Sequence, residues 1–252
     1  RFNTGDGIRM ALESGAMPFG HWSGCHASVI DADAPDLEAA TRESSRYSYP
    51  FSIMVNREGE RFVDEGEDLQ VYTYAKAGRR ILEQPGSLAY QIFDQKTVSL
   101  LRSPYSNSRP VIAQSIEELA ESLAIDGERL KRNIENFNRA VQDGEFDPSG
   151  RDGKSTRGIL PAKSNWALPL ESPPFYAYAV TCGITFTYGG CRIDEQGRVL
   201  TTEGHSIPGL WAAGELTGGF FYHNYPSGSG LTRGAVTGRV AGLAAARYVK
   251  GR

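Results

Sequence analysis

Residues 207–246 read IPGLWAAGELTGGFFYHNYPSGSGLTRGAVTGRVAGLAAA, and no other stretch restricts the fold as much. An apolar, strand-like run enters Gly214 and Glu215, a glycine-rich loop follows, and a helix of small residues opens near Ser229. Glycines let backbone approach a flat ligand closely, and the unpaired amides at the helix start, Ser229 to Thr232, can donate to an electron-rich oxygen. The competing account is a loop and helix packed tightly for their own sake.

The chain around this segment reads as globular, with 40% hydrophobic and 23% charged residues over 252 positions. A net charge of -3 gives no electrostatic reason to expect a nucleic-acid partner. No run approaches the roughly 18 apolar residues that cross a bilayer, and the first residues do not resemble a signal peptide. Three cysteines without CxxC spacing point to neither a disulfide framework nor a zinc site, and a reducing cytoplasm is the expected location. Glycine-flanked residues 3–17 predict one short helix carrying Ile8, Ala11 and Leu12. NREGERFVDE predicts a hairpin about Glu58 and Gly59, and LAYQIFD a buried strand. A capping box from Ser115 to Glu118 starts one amphipathic helix, and Leu130, Ile134, Phe137 and Val141 mark another. Residues 143–163 predict a long surface loop, Asp194 to Gly197 a hairpin turn, and Val236, Val240 and Leu243 the apolar stripe of a last helix.

The glycine-rich segment resembles, without a gap, the C-terminal signature of the fumarate reductase and succinate dehydrogenase flavoprotein family, approximately GLxAAGExxGGxHGxNRLGGNAL. GITFTYGG resembles the HTMGG strand of that family, and NTGDGI its NxGTGDG turn. Across most of the chain, phrases such as WSGCHA, RFVDEG, YTYAK and NYPSGSGLT most resemble the tricarballylate-dehydrogenase-like branch, which oxidises a carbon–carbon single bond in a polycarboxylate. The resemblance implies an α+β chain: a substrate-capping domain over 18–180, flanked by flavin-domain segments at 1–17 and 181–252. No GxGxxG follows a strand near Arg1, where the family places its dinucleotide fingerprint, so the chain is expected to lack that half and to hold FAD poorly alone.

By the same resemblance, Thr4, Asp6, Phe186, Gly214, Glu215, Ser229, Gly230, Leu231 and Thr232 are the expected FAD contacts. His26 stands in place of a substrate-carboxylate histidine, and Tyr74 in place of the proton-delivering arginine. Tyr225 replaces a substrate arginine, with His223 two residues before it. A phenol cannot supply bidentate guanidinium recognition, which argues against clamping a small dicarboxylate between two cations. An NTYPGPG segment in 3-ketosteroid dehydrogenases resembles HNYPSGSG here. The implied activity is hydride transfer between flavin N5 and a carbon beside a carboxylate or ketone, with an unknown electron acceptor. A non-catalytic metabolite- or partner-binding domain is the alternative from another class. Arg233 in the last helix is a candidate for neutralising substrate or flavin charge; the corresponding structural accounts are Tyr74 as a core aromatic, His223 as a solvent-facing loop residue and Arg233 as an ordinary exposed arginine.

Overall fold

The computed structural model describes residues 3–34 and 42–251. Residues 1–2 of the expected 1–17 segment, 35–41 of the expected 18–180 domain, and 252 lie outside the described residues. In chain order the elements begin α1 (Asp6–Glu13), β1 (Pro18–Phe19), β2 (Cys25–Asp31), β3 (Ile53–Asn56), α2 (Gln70–Leu82) and β4 (Ala89–Phe93). They continue β5 (Val111–Ala113), α3 (Ile116–Leu123), α4 (Gly127–Ala140) and β6 (Phe175–Thr187). The last are β7 (Gly190–Cys191), β8 (Arg198–Leu200), β9 (Ser206–Trp211) and α5 (Ser229–Lys250). Helix and strand are mixed, as the sequence pattern requires. The chain divides into two units, residues 1–26 with 184–252 and residues 27–183, and the division falls inside β2 and β6.

The 27–183 unit is built on a sheet ordered β2, β6, β4, β3, with β5 also paired to β6. β4 lies antiparallel to both β6 and β3, with Ile92 opposite Ala177 and Ile53. Because side chains alternate along a strand, Tyr90 and Ile92 face one side and Gln91 and Phe93 the other. The first side joins Leu119, Leu130, Ile134 and Phe137 of α3 and α4 in the main core. Ser115 accepts a bond from the Glu118 amide at 3.1 Å, as a capping residue should, while the Glu118 carboxylate accepts from Gln114 rather than from Ser115 itself. Phe93 packs with Tyr105 and Tyr178 on the second side. A Cβ on Gly78 of α2 would fall 1.9 Å from the Ala27 carbonyl, so glycine is what allows α2 to approach β2 this closely.

The turn expected at Glu58 and Gly59 forms, but its second arm is a single bridge between Val55 and Arg61. Arg61 is drawn instead into a buried ion pair with Glu65 at 2.5 Å. Val141 likewise falls just past the end of α4, as its cap.

In the other unit, β1 pairs with β7 and β8 with β9, over a small core of Ala11, Ala16, Cys191, Val199 and Ala212. The α5 helix packs on β9 and on a turn at Gly214–Leu216. The expected last helix forms and carries Val236, Val240 and Leu243, but all three are exposed, and the buried residues of the helix are Arg233 and Ala241. Small residues let α5 seat closely against the Gly197 turn, where an added Cβ would come 2.8 Å from Ala241 Cβ, and this turns the larger apolar side chains outward. No helix among the described residues is long and apolar enough to cross a membrane.

Candidate functional site

The first unit gathers most of the residues singled out from the sequence. The backbone of the TGG segment explains part of this convergence. A Cβ on Gly218 would fall 1.9 Å from the Phe19 carbonyl, and one on Gly190 would fall 2.5 Å from the Leu216 carbonyl. Only glycine at these positions lets the loop after Gly214–Leu216 lie against β1 and β7. Gly214 itself takes φ 65° and donates its amide to Thr237 of α5 at 2.9 Å. Chain reversal and helix are thereby tied together.

Asn3, 212 positions away in sequence, donates to the Glu215 carboxylate at 3.0 Å. Thr4 donates to Asp6 at 2.9 Å, and Asp6 also pairs with Arg9 in the first turn of α1. Asn3, Thr4, Phe186 and Glu215 line one cavity of about 590 Å³, together with Ile184 and Leu216. Asp6 does not line it. At the start of α5, Gly228 adopts φ 82° and, as a glycine, brings no capping side chain of its own. The Ser229 amide donates to the Pro226 carbonyl, and the Gly230 amide donates to the Tyr225 hydroxyl at 3.0 Å. The Thr232 amide returns to Gly228, and the Leu231 side chain is exposed.

Tyr225 belongs to an aromatic group that local sequence does not announce. His26 lies parallel to Phe186 with ring centres 5.2 Å apart, and the Tyr225 ring meets His26 edge-on at 4.3 Å. Phe221 completes the group at 5.1 Å from Tyr225 and 5.9 Å from Phe186. Burial pushes the His26 imidazole down to about 4, so it is neutral at pH 7. His223 is exposed and lies 5.3 Å from the ring of His21, which bonds the Tyr222 carbonyl and the Ser23 hydroxyl. Tyr74 is in the 27–183 unit, buried on α2 with its ring 5.1 Å from that of Tyr47.

Asn3, Phe221 and Arg233 are the site neighbours that sequence reasoning left out or ranked low. Asn3 stands directly before TGDG, which is a usable signal. Arg233 is buried, not exposed, with its Nη2 donating to Thr217 at 2.5 Å and its guanidinium 5.0 Å from the centre of the Phe220 ring.

The sequence pattern defining the FAD binding domain family matches residues 1–231. Among curated relatives, fumarate reductase (cytochrome) of Shewanella frigidimarina is 35% identical over 251 residues, covering 98% of this chain and 40% of the relative. The 4-oxocyclohexanecarboxylate 2-dehydrogenase of Sinomonas cyclohexanicum is 30% identical over 273 residues, covering 99% of this chain and 47% of the relative. In solved structures, 3-ketosteroid-Δ4-(5α)-dehydrogenase from Rhodococcus jostii RHA1 matches with TM-score 0.70 at 26% identity, over 96% of this chain and 45% of that one. The chain belongs to the fumarate reductase and succinate dehydrogenase flavoprotein family, and FAD is the cofactor this membership indicates. It spans about two fifths of the length of the fumarate reductases it matches.

Proposed function

We propose that this chain supplies substrate-facing and flavin-facing surfaces of an FAD-dependent oxidoreductase acting on a carbon–carbon bond beside a carbonyl group. The observation that carries the reading is the convergence, in one unit, of the Asn3–Glu215 contact, the glycine-entered start of α5 and the His26–Phe186–Tyr225 group.

The residues present fit FAD. Glu215, Asn3 and Thr4 give one cavity the polar groups that hydroxyls of a sugar-like chain require. The first turn of α5, entered through left-handed Gly228, offers the positive end of a helix to an electron-rich edge, with its Ser229, Gly230 and Thr232 amides already donated within the chain. FAD, when bound, supplies the acceptance and return of a hydride. The chain must hold the reacting carbon, keep water out and manage a proton. Phe186, Phe221 and the neutral His26 form an apolar wall suited to excluding water. Tyr225, whose oxygen already accepts the Gly230 amide, has its O–H polarised toward donating to a substrate oxygen, and the same bond would stabilise charge on that oxygen.

Carboxylate and ketone substrates make different demands. A tricarballylate-like substrate, favoured by the sequence phrasing, brings three negative charges that need cations. An aromatic wall with an uncharged histidine suits a ring-shaped ketone better. The test is to load the full-length protein with FAD and offer small polycarboxylates and cyclic ketones, following bleaching of the flavin absorbance. Bleaching by a ketone and not by a polycarboxylate supports the second substrate class, and the reverse supports the first. A fully loaded protein that neither class reduces, with or without an artificial electron acceptor, would favour a binding domain. In the active enzyme, Tyr225→Phe is expected to lower turnover about tenfold with flavin content retained, a little over 1 kcal/mol of transition-state stabilisation.

A further inference from the structure

Among the described residues, three arginine side chains are almost wholly buried, and two of them have carboxylate partners. Arg46 pairs with Asp31, and Arg61 with Glu65. Arg233, 4% exposed, makes no ion pair among the described residues. Its contacts are the Thr217 hydroxyl and the faces of Phe220 and Phe221, at 5.0 and 5.7 Å from the ring centres, while its Nε is buried without a hydrogen bond. Glu215 is the charged group whose field reaches it. Cation–π contacts return about 0.5–2 kcal/mol, whereas removing a cation from water costs several. Packing therefore does not account for a charge at this position.

Location sharpens the point. Arg233 stands on α5 one turn beyond Ser229, so its charge adds to the positive end of that helix instead of opposing it. Two positive features side by side are mutually unfavourable unless an anion joins them.

We infer that Arg233 tunes the redox equilibrium of the bound flavin: with the positive end of α5, it favours the negative charge that the flavin acquires on reduction. This rests on the FAD reading of the site given above. In the balanced step, oxidised flavin takes up two electrons and one proton and ends as an anion. Arg233 neither gives nor takes a proton and acts through its field as a positioning residue for charge.

The experiment is a potentiometric titration of the full-length, FAD-loaded protein with a chemical reductant and indicator dyes. Arg233→Gln is expected to shift the equilibrium at least tenfold toward oxidised flavin, about 30 mV for a two-electron couple, and Arg233→Lys to recover most of that shift. A purely packing role would move neither. The wild-type protein provides a second measurement that needs no variant. Its potential should fall by about 30 mV per tenfold drop in proton concentration through the weakly acidic range, the slope for one proton per two electrons. Arg233→Gln should approach twice that slope. A wild-type slope near 60 mV, or a Gln variant that keeps its FAD with potential and slope unmoved, overturns the inference alone. Failure of the full-length protein to take up FAD overturns the cofactor reading and the inference together.

Discussion

The two units dispose of buried polarity in different ways. In the 27–183 unit the buried arginines Arg46 and Arg61 each meet a carboxylate, and buried Lys163 has one carbonyl partner and the field of Glu65. Arg46 reaches Asp31, Ser108 and the Pro104 carbonyl; Gln91 bonds Tyr105 and the Arg46 carbonyl; buried Lys163 donates to the Ser52 carbonyl. In the unit containing α5, a histidine is held neutral among aromatic rings and an arginine is buried without a carboxylate. A polar interior that satisfies itself is what a scaffold needs. A buried arginine with no carboxylate at ion-pair distance is what the proposed flavin-facing role of the other unit calls for.

Deleting charge gives the largest expected contrast. Arg46→Met strands the Asp31 carboxylate and should cost roughly 3–5 kcal/mol, while Arg233→Met strands no carboxylate and should cost under about 2. Urea denaturation of both variants measures this directly. Equal losses would erase the distinction between the units.

Acid should separate them next. The folded pKa of His26 lies near 4, below the ordinary value of about 6.5, so the unfolded chain takes up the proton first. Stability from His26 is whole above pH ~6.5 and is lost as pH falls toward ~4, roughly 3 kcal/mol in all. Asp31 behaves differently. Burial alone would raise its carboxyl, but the Ser108 hydroxyl, the Asp33 amide and Arg46 outweigh that and hold it below the usual carboxylate range. Its contribution is present above pH ~4 and disappears only below it, where that of His26 is already spent. Single-tryptophan proteins keeping Trp211 or Trp166 would report each unit separately. Retention of the pH 6.5-to-4 loss in His26→Phe would show that another group carries it.

The ease of reading also differs between the units. Helices α3 and α4 were legible because their signals are local: a capping serine, then apolar residues at helical spacing that all reach one core. As a smaller check, Ser115→Ala should cost about 1 kcal/mol by thermal melting, since only the Glu118 amide loses its partner. A loss near zero would mean that solvent replaces the cap. The LAYQIFD strand was legible because a short apolar run between breakers has few alternatives. The aromatic group was not, because His26, Phe186 and Tyr225 are far apart in sequence and each is unremarkable in its own context. Asn3 and Glu215 pose the same difficulty over 212 positions. The pairing of Arg61 with Glu65, which reduces the expected hairpin to a bridge, depends on burial that no local pattern encodes.

The α5 stripe shows the limit most clearly and gives the smallest expected effect. Periodicity reports that Val236, Val240 and Leu243 share a face, but not what covers it. In this structure they are 56%, 37% and 50% exposed. An exposed apolar side chain contributes little to folding, so Val236→Ser and Leu243→Ser should each change the stability of the 252-residue chain by no more than about 0.5 kcal/mol. By contrast, covering a valine or leucine fully is worth about 1.5–3 kcal/mol. Denaturation of the same two variants in the 252-residue chain and in any longer protein that contains it therefore distinguishes a bare stripe from a covered one. Near-zero cost in the 252-residue chain and a cost above 1 kcal/mol in the longer one would identify α5 as a packed face of that longer protein. A large cost in the short chain would instead mean that copies of it bury the stripe against each other. Repeating the short-chain measurement at several protein concentrations would reveal that, because only an intermolecular contact makes apparent stability depend on concentration.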